Sequence, residues 1–200
     1  MTPQLAAIIV HDLKNALGVL ESELAALTEQ PDRTSAIHAH ANCVALREKL
    51  IGFLTLYKAS EQGLTARIED VSPADFLREL IRHHETTRPE LNVRVNTTGV
   101  PDVAFFDEYL VGLALDAALQ NAIRFAEREI VIGCQQQDGQ TIFTIVDDGR
   151  GLGSKDAQPS TGLGMALCAA IAEAHRHNGR SGSVSLENAA SGGALFTMRL

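Results

Sequence analysis

The chain has 200 residues, room for one large domain or two small ones, and its 45% apolar content predicts a folded globular protein rather than a disordered one. The formal charge of −8 argues against a nucleic-acid-binding surface, which would carry a basic patch. Charges interrupt the apolar stretches well before membrane-spanning length, so neither membrane insertion nor a signal peptide is predicted.

The cysteines and the paired histidines predict no metal or disulfide chemistry. Cys43, Cys134 and Cys168 are odd in number and far apart, so we expect reduced thiols, a cytoplasmic protein and core positions for all three. Of the histidine pairs 38/40, 83/84 and 175/177, the first could suggest metal ligands, but residues two apart on a helix point to different faces. We expect solvated surface for all three pairs.

Residues 1–62 predict a helical hairpin. Pro31 and Asp32 mark a turn, and Thr34 is the expected N-cap of the second helix. Apolar residues recur every three or four positions on both sides of this turn, which is the pattern of an amphipathic helix. The first stripe is Ile9, Leu13, Ala16, Leu20, Leu24 and Leu27, and the second is Cys43, Leu46, Leu50, Leu54 and Tyr57.

The hairpin has more apolar residues than two helices can bury against each other. The additional ones are Leu5, Ile8, Leu17, Val44 and Ile51. We therefore expect a second copy of the chain to complete a homodimeric four-helix bundle. The alternative is that the hairpin packs on the remainder of its own chain.

Residues 63–200 predict a second domain in which helices and strands are mixed. Helices are expected over Pro73–His83, Asp107–Ala126 and Gly162–His175, and strands over Leu91–Asn96, 129–134, 141–147, Ser183–Glu187 and Ala194–Leu200. Short turns such as QDGQ join neighbouring strands, which favours a mostly antiparallel sheet. The predicted fold class is thus α+β: a helical hairpin, then an α/β sandwich with helices on one face of the sheet.

His11 lies on the predicted first helix, roughly opposite the apolar stripe, so its ring is expected to be exposed. Lys14 and Asn15 share its face. The neighbouring Asp12 can hydrogen-bond one ring nitrogen and raise the nucleophilicity of the other, which suits attack on a phosphate. By itself, an exposed His beside an Asp is an ordinary feature of a solvated helix.

The string VHDLKNAL resembles the H-box of histidine kinases, in which His-(Glu/Asp)-x-x-(Thr/Asn) opens the first helix of a dimerisation and phosphotransfer hairpin. The resemblance implies that His11 is phosphorylated and that Asp12 is its orienting base. It also implies that Asn15 positions water if the protein dephosphorylates its partner. This chain has Ala16 where the family usually has Pro, which predicts a less kinked helix.

Asn121 and Arg124 lie three apart on one face of the helix that contains ALQNAIRFA. An amide oxygen is a suitable ligand for Mg²⁺ and an arginine can meet a phosphate; the alternative is a buried-helix Asn with a solvated Arg. The segment resembles the N-box of the superfamily that groups histidine kinases with gyrase and heat-shock chaperone ATPases. That family commonly has a second Asn one turn earlier, where this chain has Ala117.

A strand that ends in Asp147 is followed by Gly149 and Gly151. Alternation places Asp147 on the same side as Phe143 and Ile145, where its carboxylate needs a partner such as the exocyclic amine of adenine. The glycines allow positive φ and close approach of a ligand, although a tight turn between strands would also explain Asp-Gly. The segment resembles the first glycine box of the family, Asp-x-Gly-x-Gly.

The string STGLGMAL opens a helix whose free N–H groups can receive phosphate oxygens, and it resembles the family's second glycine box. Its candidate binding residues are Thr161, Gly162, Leu163 and Gly164, and the family's order of motifs is completed by Gly192, Gly193 and Phe196. Between the two boxes lies only SKDAQPS, at the place of the ATP lid. So short a lid predicts modest affinity for ATP.

The resemblance spans nearly the whole chain and implies an ATP-dependent protein-histidine kinase that uses ATP with Mg²⁺. In that activity His11 attacks the γ-phosphorus, and the phosphoryl group then passes to an aspartate of a response-regulator receiver domain. The alternative is a histidine phosphotransfer protein of the same fold that does not use ATP, as the short lid and Ala117 would suggest. A Ser/Thr kinase or ATPase of the superfamily would leave the H-box unexplained.

The resemblance also implies a division of labour. Residues 1–62 would be the dimerisation and phosphotransfer hairpin, and residues 63–200 the ATP-binding domain. No input domain is recognisable, so we expect the signal to come from a separate sensor protein, unless the chain is the core of a longer one.

Overall fold

A computed structural model describes residues 3–82, 84, 88, 90–153, 162–177 and 179–200. The chain divides into two compact units, the first comprising residues 1–62 with 160–163 and the second residues 63–159 with 164–200. The first unit contains helices α1 (Pro3–Glu29) and α2 (Arg33–Gln62). None of the helices in the described ranges combines the length and the apolar character that crossing a membrane requires.

Asp32, in the turn between α1 and α2, caps the N-terminus of α2. Its carboxylate accepts the backbone N–H of Ser35 at 2.7 Å and the Ser35 hydroxyl at 2.9 Å, and these bonds lower the pKa of Asp32. The expectation that Thr34 is the N-cap was wrong, because α2 begins at Arg33 and Thr34 lies within its first turn. Asp32 is the N-cap of α2 because the turn leaves its side chain within hydrogen-bonding distance of Ser35.

The hairpin buries little apolar surface within one chain. Ile9, Leu20, Ala39 and Leu56 are buried. A larger set of apolar side chains on the two helices is exposed: Ile8, Val10, Leu17, Val19, Leu24, Ile37, Leu50, Leu54 and Tyr57. Most of the second predicted stripe is therefore open to solvent rather than packed on α1.

The second unit is an α+β domain. Its helices are α3 (Pro73–Arg82), α4 (Glu108–Phe125) and α5 (Leu163–Ala174). Its strands are β1 (Glu69–Val71), β2 (Asn92–Asn96), β3 (Ala104–Phe106), β4 (Glu129–Gln137), β5 (Gln140–Asp147), β6 (Arg176–His177), β7 (Arg180–Ser181), β8 (Ser183–Asn188) and β9 (Ala194–Arg199). The main sheet has the order β2-β4-β5-β9-β8. The strands β1 and β3 form one separate pair, and β6 and β7 form another.

The core of this unit lies between one face of the main sheet and the helices. Alternate residues of β4, β5 and β9 point into it: Ile130, Ile132, Phe143, Ile145, Phe196 and Met198. Helix α4 packs on β5, and α3 packs on β2 and β4. Phe143 meets Phe106 edge-on with ring centroids 5.2 Å apart. Each such side chain contributes about 1.5–3 kcal/mol through burial, so this face fixes the register of the strands.

The predicted fold class is confirmed, with local differences. The pairs β1–β3 and β6–β7 were not predicted, since strands of two or three residues are too short to show an alternating pattern. The β2–β4 pair is parallel, whereas β4–β5, β5–β9 and β8–β9 are antiparallel. Parallel pairing is possible there because the connection from β2 to β4 is long and includes α4.

The surface and core expectations for cysteines and histidines were partly wrong. Cys134 and Cys168 are buried, and burial raises the pKa of both thiols to about 12, but Cys43 is exposed. His84 and His175 are buried instead of solvated. Each has polar partners that allow burial: His84 contacts Asp116, and His175 bonds to backbone groups on both sides of its ring.

Candidate phosphotransfer histidine and nucleotide site

The first group of predicted site residues lies on α1 in the hairpin unit. The ring of His11 is exposed, as predicted. The Asn15 side-chain Nδ2 lies 3.2 Å from His11 Nδ1, which fits the expectation that these residues share a helix face. His11 is therefore accessible, with one ring nitrogen held by its own helix.

The structure does not bring Asp12 onto the His11 ring. Instead, Asp12 Oδ2 accepts a hydrogen bond from Lys49 Nζ at 3.0 Å, across the hairpin to α2. A second link between the helices runs from Asn42 Nδ2 to the Glu23 carboxylate at 2.7 Å. Sequence reasoning missed Lys49, because the contact joins positions 37 residues apart on a hairpin whose register depends on the turn.

The second group of site residues is centred on Asp147, at the end of β5. Asp147 is 6% exposed, beside the buried Phe143 and Ile145, as alternation predicted. Its Oδ1 accepts the backbone N–H of Gly149 at 2.9 Å and of Ala194 at 3.2 Å. Among the described residues, no group donates to Oδ2. Oδ1 is thus held by two backbone N–H groups, and a carboxylate oxygen such as Oδ2 is an acceptor suited to a hydrogen bond from a ligand.

Glycines hold three segments close to this carboxylate. A Cβ at Gly149 would lie 2.2 Å from the carbonyl oxygen of Phe125, at the end of α4. A Cβ at Gly193 would lie 1.9 Å from the carbonyl oxygen of Asp147, and Gly193 also has φ +78°. Any side chain would collide with backbone at both positions. The absence of side chains at these glycines therefore allows the end of α4, the end of β5 and the turn before β9 to pack closely together.

Two polar side chains that sequence reasoning missed support the glycine loop. Asn188 Oδ1 accepts the backbone N–H of Leu152 at 2.6 Å and lies against Gly151, whose φ is +73°. Asp148 Oδ1 accepts the N–H groups of Glu127 and Arg128 at 2.9 and 3.0 Å. Desolvation acts to raise the pKa of Asp148, but these backbone bonds lower it on balance. Both contacts span 20 or more residues, so no local pattern signals them.

The C-terminal half of α4 carries Asn121 and Arg124, and both are exposed on the helix. The Arg124 guanidinium lies 5.1 Å from the centre of the Phe125 ring. Because Phe125 also contributes the carbonyl that touches Gly149, this half of α4 lies next to the glycine loop.

Helix α5 begins over the middle of α4. A Cβ at Gly164 would lie 3.9 Å from the Ala117 Cβ, so these helices approach through small residues. Gly162 precedes the helix with φ +72° and has open space around it, and Leu163 is buried. The predicted contact residue Thr161 and the predicted lid at 154–160 lie outside the described residues.

Comparison with known proteins finds a matching family and a curated relative. Residues 106–200 match the family described as histidine kinase-, DNA gyrase B-, and HSP90-like ATPase. The sensor protein KdpD of Clostridium acetobutylicum is 22% identical over 218 residues, which cover 96% of this chain. The chain spans 24% of the length of that curated relative.

Solved structures of histidine kinases share the fold. The Acinetobacter baumannii histidine kinase AdeS superposes with a TM-score of 0.73 at 22% identity, covering 95% of this chain and 96% of that one. Full-length ShkA in complex with AMPPNP gives 0.62 at 19% identity, covering 100% and 46%. The ATP-binding domain of PrrB from Mycobacterium tuberculosis gives 0.54 at 26% identity, covering 66% and 96%. This chain therefore shares the fold of solved histidine kinase cores, and its residues 106–200 match the histidine kinase-, DNA gyrase B-, and HSP90-like ATPase family.

Proposed function

We propose that this protein is an ATP-dependent histidine kinase that phosphorylates His11 and transfers the phosphoryl group to an aspartate of a response regulator. One observation carries the proposal: an exposed histidine with a polar neighbour on its helix face precedes a domain that matches an ATPase family and holds a buried carboxylate at the end of a strand. The hairpin supplies the nucleophile, and the second unit supplies the nucleotide site.

In the proposed site, Asp147 recognises the base of the nucleotide. Its Oδ2 would accept a hydrogen bond from the exocyclic amine of adenine, while Oδ1 stays bound to two backbone N–H groups. Gly151 and Gly162 let the backbone come close to the nucleotide, because each adopts a positive φ that other residues avoid. Gly164 and Leu163 open α5, whose N-terminal N–H groups can bind phosphate.

Asn121 and Arg124 would meet the triphosphate from α4. The exposed amide oxygen of Asn121 suits a hard cation, and when Mg²⁺ is bound it neutralises charge on the phosphates. Arg124 adds a positive charge one turn further along the same face. Ala117 offers no polar group at the place where related proteins carry a second Asn.

The hairpin would act as a dimer and as the docking element for the regulator. Among the described residues of α1 and α2, nine large apolar side chains are exposed and need a partner surface, and a second hairpin of the same sequence can cover them in a four-helix bundle. The phosphoryl acceptor would be a receiver domain, and the input signal would come from a further protein segment or partner.

Labelling with γ-phosphate-labelled ATP tests the kinase proposal. Wild type should form an acid-labile, base-stable phosphoprotein. His11→Ala should not label, because it removes the nucleophile, and Asp147→Asn should label more weakly at subsaturating ATP, because it removes the base contact. An unlabelled wild type, or equal labelling of His11→Ala, would contradict the proposal. The exposed His38→Ala is the matched control and should label like wild type.

The runner-up function is a phosphotransfer protein that keeps the fold without using ATP, and Ala117, which offers no polar group on α4, is the feature that favours it. Equilibrium binding of an ATP analogue with Mg²⁺ distinguishes the two functions. Saturable binding supports the kinase. Its absence at millimolar nucleotide, together with phosphoryl transfer between His11 and a receiver domain, would support the phosphotransfer protein.

A further inference from the structure

We propose that Lys49 is a positioning residue that restrains the phosphotransfer histidine by holding Asp12 away from it. The inference rests on the proposed function of His11. Its structural basis is the exchange of partners at this end of the hairpin: Asp12 bonds to Lys49 on α2, and His11 bonds to Asn15 on α1.

The tautomer of His11 follows from its contact with Asn15. The amide Nδ2 of Asn15 carries only donors, so at 3.2 Å it donates to His11 Nδ1. A neutral ring whose Nδ1 accepts a hydrogen bond carries its proton on Nε2. Nε2 then has no in-plane lone pair, and the ring is in the form that does not attack through Nε2.

The reactive form of His11 needs the opposite arrangement. The proton must be on Nδ1, where an acceptor stabilises it, and Nε2 must be free. Asp12, the next residue on the helix, carries a carboxylate that can accept that proton's hydrogen bond. Its Oδ2 is instead 3.0 Å from Lys49 Nζ, so Lys49 and the His11 ring compete for one carboxylate.

The proposed step balances as follows. The Nε2 lone pair forms a bond to the γ-phosphorus, and the bond from that phosphorus to the bridging oxygen of ADP breaks. The ring gains positive charge, which Asp12 stabilises by accepting the Nδ1 proton or its hydrogen bond. Asp12 can do this only after it leaves Lys49.

The ion pair is weak enough to exchange. The Lys49 and Asp12 side chains retain 45% and 36% of their exposed surface, so solvent screens their attraction. An exposed pair of this kind biases a conformational equilibrium by roughly two- to fivefold. The ion pair therefore sets the fraction of hairpins in which Asp12 faces His11, and it does not hold Asp12 permanently on Lys49.

The test substitutes Lys49 in the full chain. Lys49→Met keeps the aliphatic stem and removes the charge, so His11 labelling at saturating ATP should become about two- to fivefold faster. Lys49→Arg keeps the ion pair and should label like wild type. Lys58→Met removes the same charge from an exposed position of α2 and should also label like wild type. The double variant Asp12→Asn/Lys49→Met should label no faster than Asp12→Asn alone, because the carboxylate that Lys49 holds is then absent.

A second readout separates this proposal from the kinase proposal. Long-range proton–nitrogen correlation spectra of the neutral ring report the His11 tautomer without ATP. Lys49→Met should raise the Nδ1–H fraction of His11, and Lys49→Arg should not. An unchanged or lower Nδ1–H fraction in Lys49→Met overturns the role of Lys49 whether or not the wild type labels. If the tautomer shifts but no variant labels, the kinase function fails and the restraint by Lys49 stands.

Discussion

The substitution Asp147→Asn tests the nucleotide site with little change to the fold. An asparagine keeps Oδ1, which can still accept the N–H groups of Gly149 and Ala194. It replaces Oδ2 by an NH₂ group, which is a donor. A donor then faces the exocyclic amine of adenine, and the proposed base contact is lost.

The expected loss of affinity follows from one hydrogen bond to a charged acceptor. Such a bond contributes about 1.5–3 kcal/mol, so the Kd for an ATP analogue with Mg²⁺ should rise roughly 10- to 150-fold. The free energy of unfolding should change by less than about 1 kcal/mol, because both backbone bonds to Oδ1 remain. Asp147→Ala removes these bonds as well and should destabilise the domain.

Isothermal titration with the ATP analogue and with the corresponding inosine triphosphate analogue measures the effect. Inosine has an acceptor oxygen where adenosine has the amine. Asp147→Asn should therefore gain affinity for the inosine triphosphate analogue while it loses affinity for the ATP analogue. If the variant binds the ATP analogue within about threefold of wild type, Asp147 does not contact the base and the reasoning is refuted. Thermal unfolding of both proteins provides the control for folding.

Three further predictions concern the stability of the domain and the support of the glycine loop. Burial lowers the pKa of His175, whose Nε2 accepts the N–H of Asp107. The stability contributed by this neutral ring is full above the unfolded-state pKa of about 6.5 and declines as pH falls from there through the lower folded-state pKa. His175→Gln can keep both hydrogen bonds without titrating, so its unfolding temperature should fall less than that of wild type on acidification; an equal fall would contradict this. Gly193→Ala should cost about 3 kcal/mol or more in denaturant unfolding, because its Cβ would meet the Asp147 carbonyl at a positive φ. Gly153→Ala, with φ +88° and open space, is its matched control and should cost only the strain of about 1 kcal/mol. Asn188→Leu should release the loop at Leu152 and weaken ATP binding more than it weakens folding, as parallel titration and unfolding would show.

The parts of the site that local sequence determines were predictable, and the parts that depend on register were not. Alternation along β5 was enough to place Asp147 in the core face, because the side-chain period of a strand is fixed. The helix period was enough to place Asn15 beside His11. By contrast, Lys49 meets Asp12 only because of the length of the turn between α1 and α2. His175 is buried because a backbone N–H 68 residues away satisfies its ring. Neither partner is visible in a local pattern.

Glycine is required at the site for two different physical reasons, close backbone contact and positive φ, and the spacing of the glycines in the sequence does not distinguish them. Gly149 and Gly193 are required by backbone contacts within the protein, since a Cβ at either position would strike a carbonyl oxygen of Phe125 or Asp147. Those constraints apply with or without nucleotide, because they bring the end of α4 and the turn before β9 against the end of β5. Gly162 has a positive φ, and within the part of the chain that the structure describes no atom would meet a Cβ there. Its conformation serves the entry into α5, where phosphate would bind, so substitution there should affect nucleotide binding before it affects folding.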